Sequence, residues 1–175
     1  MIKAASISRN FLASGLFQCF LGALIIALGS QICVPWVPVP LTFQTLFVLI
    51  VVSRLGANLG ALSVLLYLIE GLAGIPVFAE FSAGPAILLG PSGGYLLGFI
   101  PAAYLTGIIL NRFTNRTFLS VLLAGLAGEV ALLVTGYLQL AHFIGFSDAY
   151  TVGILPFILG DFLKLTLFAM IASKK

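Results

Sequence analysis

Charge is what this chain has least of. Asp, Glu, Lys and Arg make up 7% of its 175 residues, where a soluble domain would carry about 25%. So small a stock cannot cover a surface that faces water, which excludes an ordinary soluble fold. With 61% hydrophobic residues and a mean hydropathy of +1.22, the chain belongs in a membrane. Its net charge of +3 is no sign of nucleic-acid binding, because the basic residues are scattered singly. Cysteine is scarce too. Cys19 and Cys33 lack metal-ligand spacing and read as small apolar fillers; a disulfide would require the outer end of the first helix to bend back. The single histidine, His142, reads as an interfacial residue rather than a ligand, so no metal site is expected.

Several motifs are missing as well. No Gly-x-x-x-x-Gly-Lys-Ser/Thr loop occurs, so ATP cannot be used by that route. His-Glu-x-x-His, Gly-x-Ser-x-Gly and Cys-x-x-Cys are absent, which argues against the enzymes built on them. Nor is there a convincing inverted repeat of the kind that marks self-sufficient secondary transporters.

What is present is a series of apolar runs. Membrane spans are expected at about residues 11–30, 41–53, 59–74, 94–111, 117–140 and 152–172, by length and hydropathy. Residues 1–175 therefore read as one all-α domain, a bundle of six transmembrane helices. The first run, flanked by Lys3 and Arg9, offers Ala27 and Gly29 as small residues for a signal cleavage site. It is longer than a signal's apolar core and no soluble domain follows, so an uncleaved span is expected. Pro35, Pro38 and Pro40 keep the next stretch out of a helix, with Trp36 suited to the headgroup level. Arg54 to Asn58 reads as a tight turn. The connection from Ile75 to Tyr95 is rich in Gly and Pro yet apolar, which predicts a lid packed down on the bundle rather than a solvated linker.

Orientation follows from the basic residues. With the N-terminus in the cytoplasm, Lys3, Arg9, Arg54, Arg112, Arg116, Lys174 and Lys175 all fall on the inner side, and the outer segments 31–40, 75–93 and 141–151 hold no Lys or Arg. Both termini are then cytoplasmic. The remaining basic residue, Lys164, lies inside the last span three residues after Asp161. Each such charge at mid-bilayer costs roughly 2.5–3.5 kcal/mol on insertion scales, so two of them need a use. At i, i+3 they share a helix face about 4.5 Å apart along the axis, and read as the floor of a cavity open to the outside, about ten residues in from the helix's outer end.

Other polar residues admit two readings each. Gln44, beside Thr42 and Thr45, is an interhelical hydrogen-bonding group or a cavity wall. Glu129, behind Gly125 and Gly128, is a partner for Lys164, a polar lock between helices or a ligand contact. Glu70 and Glu80 are solvated or, for Glu80 on the lid, part of the site. Tyr95 places its ring over a ligand or anchors at the interface. Gly22, Ala23 and Ala27 form a small-residue stripe that either seals the chain's own bundle or presents a groove to another subunit.

Four segments resemble a known family. Val34-Pro35-Trp36-Val37-Pro38-Val39-Pro40-Leu41-Thr42-Phe43-Gln44-Thr45-Leu46 resembles the proline-rich lead-in to the second span of BioY-type biotin transporter proteins. Gly71-Leu72-Ala73-Gly74-Ile75-Pro76-Val77-Phe78-Ala79 resembles their following loop, and Gly90-Pro91-Ser92-Gly93-Gly94-Tyr95-Leu96-Leu97-Gly98-Phe99 their most recognisable signature. Leu155-Pro156-Phe157 with Gly160, Asp161 and Lys164 matches the ending.

The resemblance implies a biotin-binding S subunit of an energy-coupling factor transporter in the bacterial inner (plasma) membrane, multi-pass and surrounded by lipid. It would work with a transmembrane coupling subunit and two cytoplasmic ATPases, without cofactor or nucleic acid. Carried over, Asp161 and Lys164 match the ligand-contacting pair, Gln44 and Tyr95 sit in matching motifs, Phe78 and Tyr95 would line the apolar part of the cavity, Glu80 is the candidate contact from the lid, and Ala23 and Ala27 match the docking face. The lid departs from the pattern, since Glu80 stands where a small or amide residue is expected. An S subunit for another carboxylated vitamin, such as lipoate or pantothenate, is the alternative; a membrane enzyme using Asp161 and Lys164 as acid and base, or a purely structural ion pair, is further off.

Overall fold

The computed structural model describes residues 2–173, with side chains from residue 14 onward. Lys174, Lys175 and the side chains of Lys3 and Arg9, which enter the inner-side charge count above, lie outside the described residues. The elements are α1 (Ile2–Gln31), a two-residue ribbon of β1 (Cys33–Val34) and β2 (Leu41–Thr42), α2 (Gln44–Leu72), a single tight turn at Ala79–Phe81, α3 (Pro85–Leu89), α4 (Gly93–Asn111), α5 (Phe118–Ile144), α6 (Phe146–Gly153) and α7 (Leu155–Ala172). Among the described residues, five helical stretches are long and apolar enough to cross a membrane: Ser14–Gln31, Gln44–Leu72, Gly93–Asn111, Phe118–Ile144 and Phe146–Ala172. Large apolar side chains stand exposed around the bundle, among them Leu16, Leu119, Leu138, Leu159 and Phe162. That surface suits acyl chains and would be insoluble in water.

The long α2 is not straight. Gly56 has φ +80° and ψ −179°, a conformation for which only glycine is suited. An unbroken helix would hold Val52 and Gly60 about 12 Å apart, yet a Cβ built on Gly60 would lie 3.0 Å from the Val52 Cα. The chain therefore reverses at Gly56, within the turn expected at Arg54 to Asn58. Arg116 closes this end by donating from Nη1 to the Ser53 carbonyl at 2.7 Å. α1 lies against both arms of the reversal: a Cβ on Gly22 would approach Val51 and Ser63 to 3.0 Å or less.

This packing bears on the two readings of the small-residue stripe. Ala23 is fully buried, and Ala27 is half-buried against the same core. The stripe seals the chain's own bundle; the face that α1 leaves exposed is the one bearing Phe17, Phe20, Leu24 and Leu28. α4 and α5 also meet through small residues. A Cβ on Gly94 would lie 2.6 Å from the Thr135 carbonyl, and one on Gly128 would lie 2.9 Å from that of Ala102. Close backbone approach of this kind is how helices associate where no hydrophobic force acts between them.

Two boundaries differ from expectation. The segment 141–151 is helical: α5 runs on to Ile144, Gly145 turns with φ +85°, and α6 follows at once. α7 then begins only at Leu155, so Asp161 stands six residues, about 9 Å, inside its helix rather than ten residues. The bundle is also polar by end. Arg54, Arg112 and Arg116 fall where α2 reverses and α4 leads into α5, while Glu70, Glu80, His142 and Asp148 fall at the opposite end, that of the lid.

Candidate ligand-binding site

The lid lies where the sequence expects it and is held by side chains from two helices. Gln31, the last residue of α1, donates from Nε2 to the carbonyls of Val77 (3.2 Å) and Phe78 (2.9 Å), and its Oε1 accepts from the Phe81 amide at 3.0 Å. Ser30 donates to the Val77 carbonyl at 2.6 Å. From the other side, Gln139 on α5 donates to the carbonyls of Leu88 (2.9 Å) and Gly90 (2.7 Å). Irregular backbone near the membrane must have such partners, because lipid offers none.

Beneath the lid is a cavity of about 250 Å³, near the lower end of the roughly 300–1,000 Å³ usual for small-molecule sites. Its walls are mostly apolar and aromatic: Phe78, Tyr95, Leu96, Phe99, Leu132 and Phe157, with Gln44, Ser82, Ser92 and Glu80 among the polar ones. Tyr95 is locked in place. Its ring stacks on Phe157 with centroids 5.6 Å apart, and its hydroxyl donates to the Gly153 carbonyl at 2.7 Å. A Cβ on Gly136 would overlap that ring, so glycine there makes the slot. Phe78 is fixed likewise, edge-on to Tyr67 at 5.5 Å and seated over Gly71.

Lys164 forms the floor. The residue is 7% exposed, and its Nζ pairs with Asp161 Oδ1 at 2.5 Å and donates to the Thr42 carbonyl at 3.0 Å. An ammonium has three donors; with two committed, one is left on the cavity side. Asp161 is not part of the wall. It stands behind Lys164, 3% exposed, and orients the amine. Glu129 on α5 completes a buried cluster: its carboxyl faces that of Asp161, with Lys164 near enough to bear on both. No donor reaches either Glu129 oxygen. Gln44 Nε2 is also buried without an acceptor. Buried polar atoms are rarely left so, and a donor left over on a cavity wall is available to a ligand's acceptor.

Gln44, Phe78, Glu80, Tyr95 and Lys164 thus converge on one cavity, Asp161 supports it from behind, and Ala23 and Ala27 lie elsewhere on α1. Phe157, Thr42, Gln31 and Gln139 were not legible as site residues. Thr42 and the glutamines' lid contacts act through main-chain carbonyls, which carry no sequence signal. Phe157 is one phenylalanine among fifteen. Among the described residues, no group of three His, Cys, Asp or Glu side chains could hold a metal ion.

A polytopic helical bundle with a lidded, mostly apolar cavity floored by a paired lysine defines a membrane protein that captures a small molecule. The chain belongs to the BioY family, whose model matches residues 3–175, so it is a member of a transporter family and not an enzyme. It is 43% identical over 155 residues to a probable biotin transporter BioY of Pyrococcus horikoshii, covering 87% of this chain and 91% of that one. It is 35% identical over 167 residues to a biotin transporter BioY of Thermotoga maritima, covering 95% of each. A crystal structure of the S-component for biotin from an ECF-type ABC transporter superposes with a TM-score of 0.82 at 28% identity, covering 94% of this chain and 92% of that one.

Proposed function

We propose that this chain takes up biotin: it binds the vitamin from the outer side of the plasma membrane, in the cavity under the lid, and delivers it inward. The observation that carries the reading is the cavity floor. Lys164 and Gln44 present donors at the cavity floor, which fits the carbonyl of a neutral ureido ring. Phe78, Tyr95 and Phe157 enclose the fused rings and apolar chain, and Asp161 keeps Lys164 aimed. Family membership and the names of the relatives point the same way.

Six crossings with both termini cytoplasmic fit this function, counting the two arms of α2 separately. The reversal at Gly56 and the gathering of Arg54, Arg112 and Arg116 at one end support that topology. Energy would come from a transmembrane coupling subunit and two cytoplasmic ATPases, since the chain has no phosphate loop. Their docking would use the exposed face of α1, with Ala27 at its edge. The test of the ligand is competition: lipoate and pantothenate are titrated against labelled biotin on the purified protein. Displacement only by biotin-like compounds is expected; equal displacement by either other vitamin would reassign the ligand.

A further inference from the structure

Glu80 is the anomaly of the site. It lines the mouth of the cavity while remaining solvent-exposed, and it has no ion-pair partner among the described residues. Its backbone is left-handed, φ +58°, with Phe81 beside it at +55°, a region that residues other than Gly, Asn and Asp seldom occupy. The turn is nonetheless fixed. Phe78 N–H donates to the Ser82 carbonyl at 3.0 Å, and the Phe81 amide donates to Gln31 Oε1 at 3.0 Å. The fixed turn therefore places a carboxylate at the rim.

The charges at the two ends of the cavity set the orientation of a ligand with one neutral and one ionic end. At the floor, Lys164 is already balanced by Asp161, so a carboxylate arriving there would be a surplus anion beside Asp161 and Glu129, out of water. A neutral carbonyl meets no such penalty. The ionic end belongs at the mouth, where water remains. There it meets Glu80, with Glu70 and Asp148 on the same end of the bundle and, among the described residues, no Lys or Arg beside them.

Resting on the biotin reading above, we infer that Glu80 is a specificity residue that reads the far end of the ligand. It disfavours the free carboxylate and admits biotin joined through its carboxyl to an amine, as biotin amide or biotinyl-lysine. Two like charges about 4–6 Å apart in a water-filled mouth change affinity by about three- to sixfold, and salt reduces the effect.

The test measures dissociation constants of biotin, biotin amide and biotinyl-lysine on the full chain in lipid nanodiscs, for wild type and Glu80→Gln. Glutamine preserves the backbone and the side-chain length, so folding is not at issue. The wild type is expected to bind both amides at least as tightly as free biotin. Glu80→Gln should tighten free biotin about three- to sixfold and leave the amides within twofold, with the difference shrinking at high salt. Biotin binding with the same ligand ratio in both proteins overturns this inference and leaves the biotin reading standing. Wild type that binds biotin but loses the amides by a hundredfold also overturns it, because the carboxylate would then be read by a cation. Folded wild type that binds none of the three refutes the biotin reading and this inference together.

Discussion

Replacing Lys164 separates its two roles. Lys164→Met removes the amine that neutralises Asp161 and caps the Thr42 carbonyl, at 2.5 and 3.0 Å. Breaking a buried pair on one side costs about 3–5 kcal/mol, because the other charge stays buried. The orphaned carbonyl adds about 1–3 kcal/mol. Asp161→Leu combined with Lys164→Met removes both charges together, and such replacements are often neutral or stabilising. The double variant should therefore recover most of the lost stability while regaining no affinity. Affinity falls because one charge-assisted hydrogen bond, worth about 1.5–3 kcal/mol, is gone, which is roughly ten- to hundredfold in Kd. Unfolding in mixed micelles followed by circular dichroism measures the first quantity, and calorimetric titration with biotin the second. A double variant that binds like wild type would refute the assignment of Lys164 to the site. One as unstable as Lys164→Met would refute the reading of Asp161 as its counter-charge.

Other consequences are direct. Glu129→Gln places an amide donor opposite Asp161, so stability should hold or rise and biotin affinity should stay within about threefold; loss of binding with an intact fold would mean that the carboxylate itself is required. Gly56→Ala introduces no clash, since nothing lies within 4 Å of the new Cβ, but it strains a φ of +80°. A loss of about 1–3 kcal/mol in unfolding, with unchanged affinity, is expected. Gln31→Ala frees the lid from three hydrogen bonds to Val77, Phe78 and Phe81 and should raise the biotin dissociation rate in stopped-flow chase far more than it lowers the melting temperature. A cysteine at Ser82 should react with a membrane-impermeant thiol reagent added outside intact cells, and one at Arg54 should not; the reverse pattern would invert the topology.

The architecture could be read from the sequence wherever physics acts through composition. Apolar length located the long helices, and the turn expected over Arg54 to Asn58 contains Gly56, where the backbone leaves the helix. Lys164 and Asp161 stood out because charge is so costly in lipid. What escaped depends on three-dimensional neighbours. Ser147 and Asp148 looked like loop, yet they sit in α6, whose Gly153 carbonyl holds Tyr95. Ala23 could have faced a partner by sequence, yet it is fully buried in the chain's own core. The order within the polar cluster was hidden for the same reason: spacing puts Asp161 and Lys164 on one face but does not say which of them reaches the cavity. The β1–β2 ribbon, two residues per strand, is too short to leave a pattern.

The most direct test of biotin capture over Lys164 is isothermal calorimetry of biotin with the purified protein beside Lys164→Ala. One saturable site per chain in the wild type, weakened at least tenfold in the variant, is the predicted result. Equal affinity in the two proteins, or no binding to folded wild type, would contradict it.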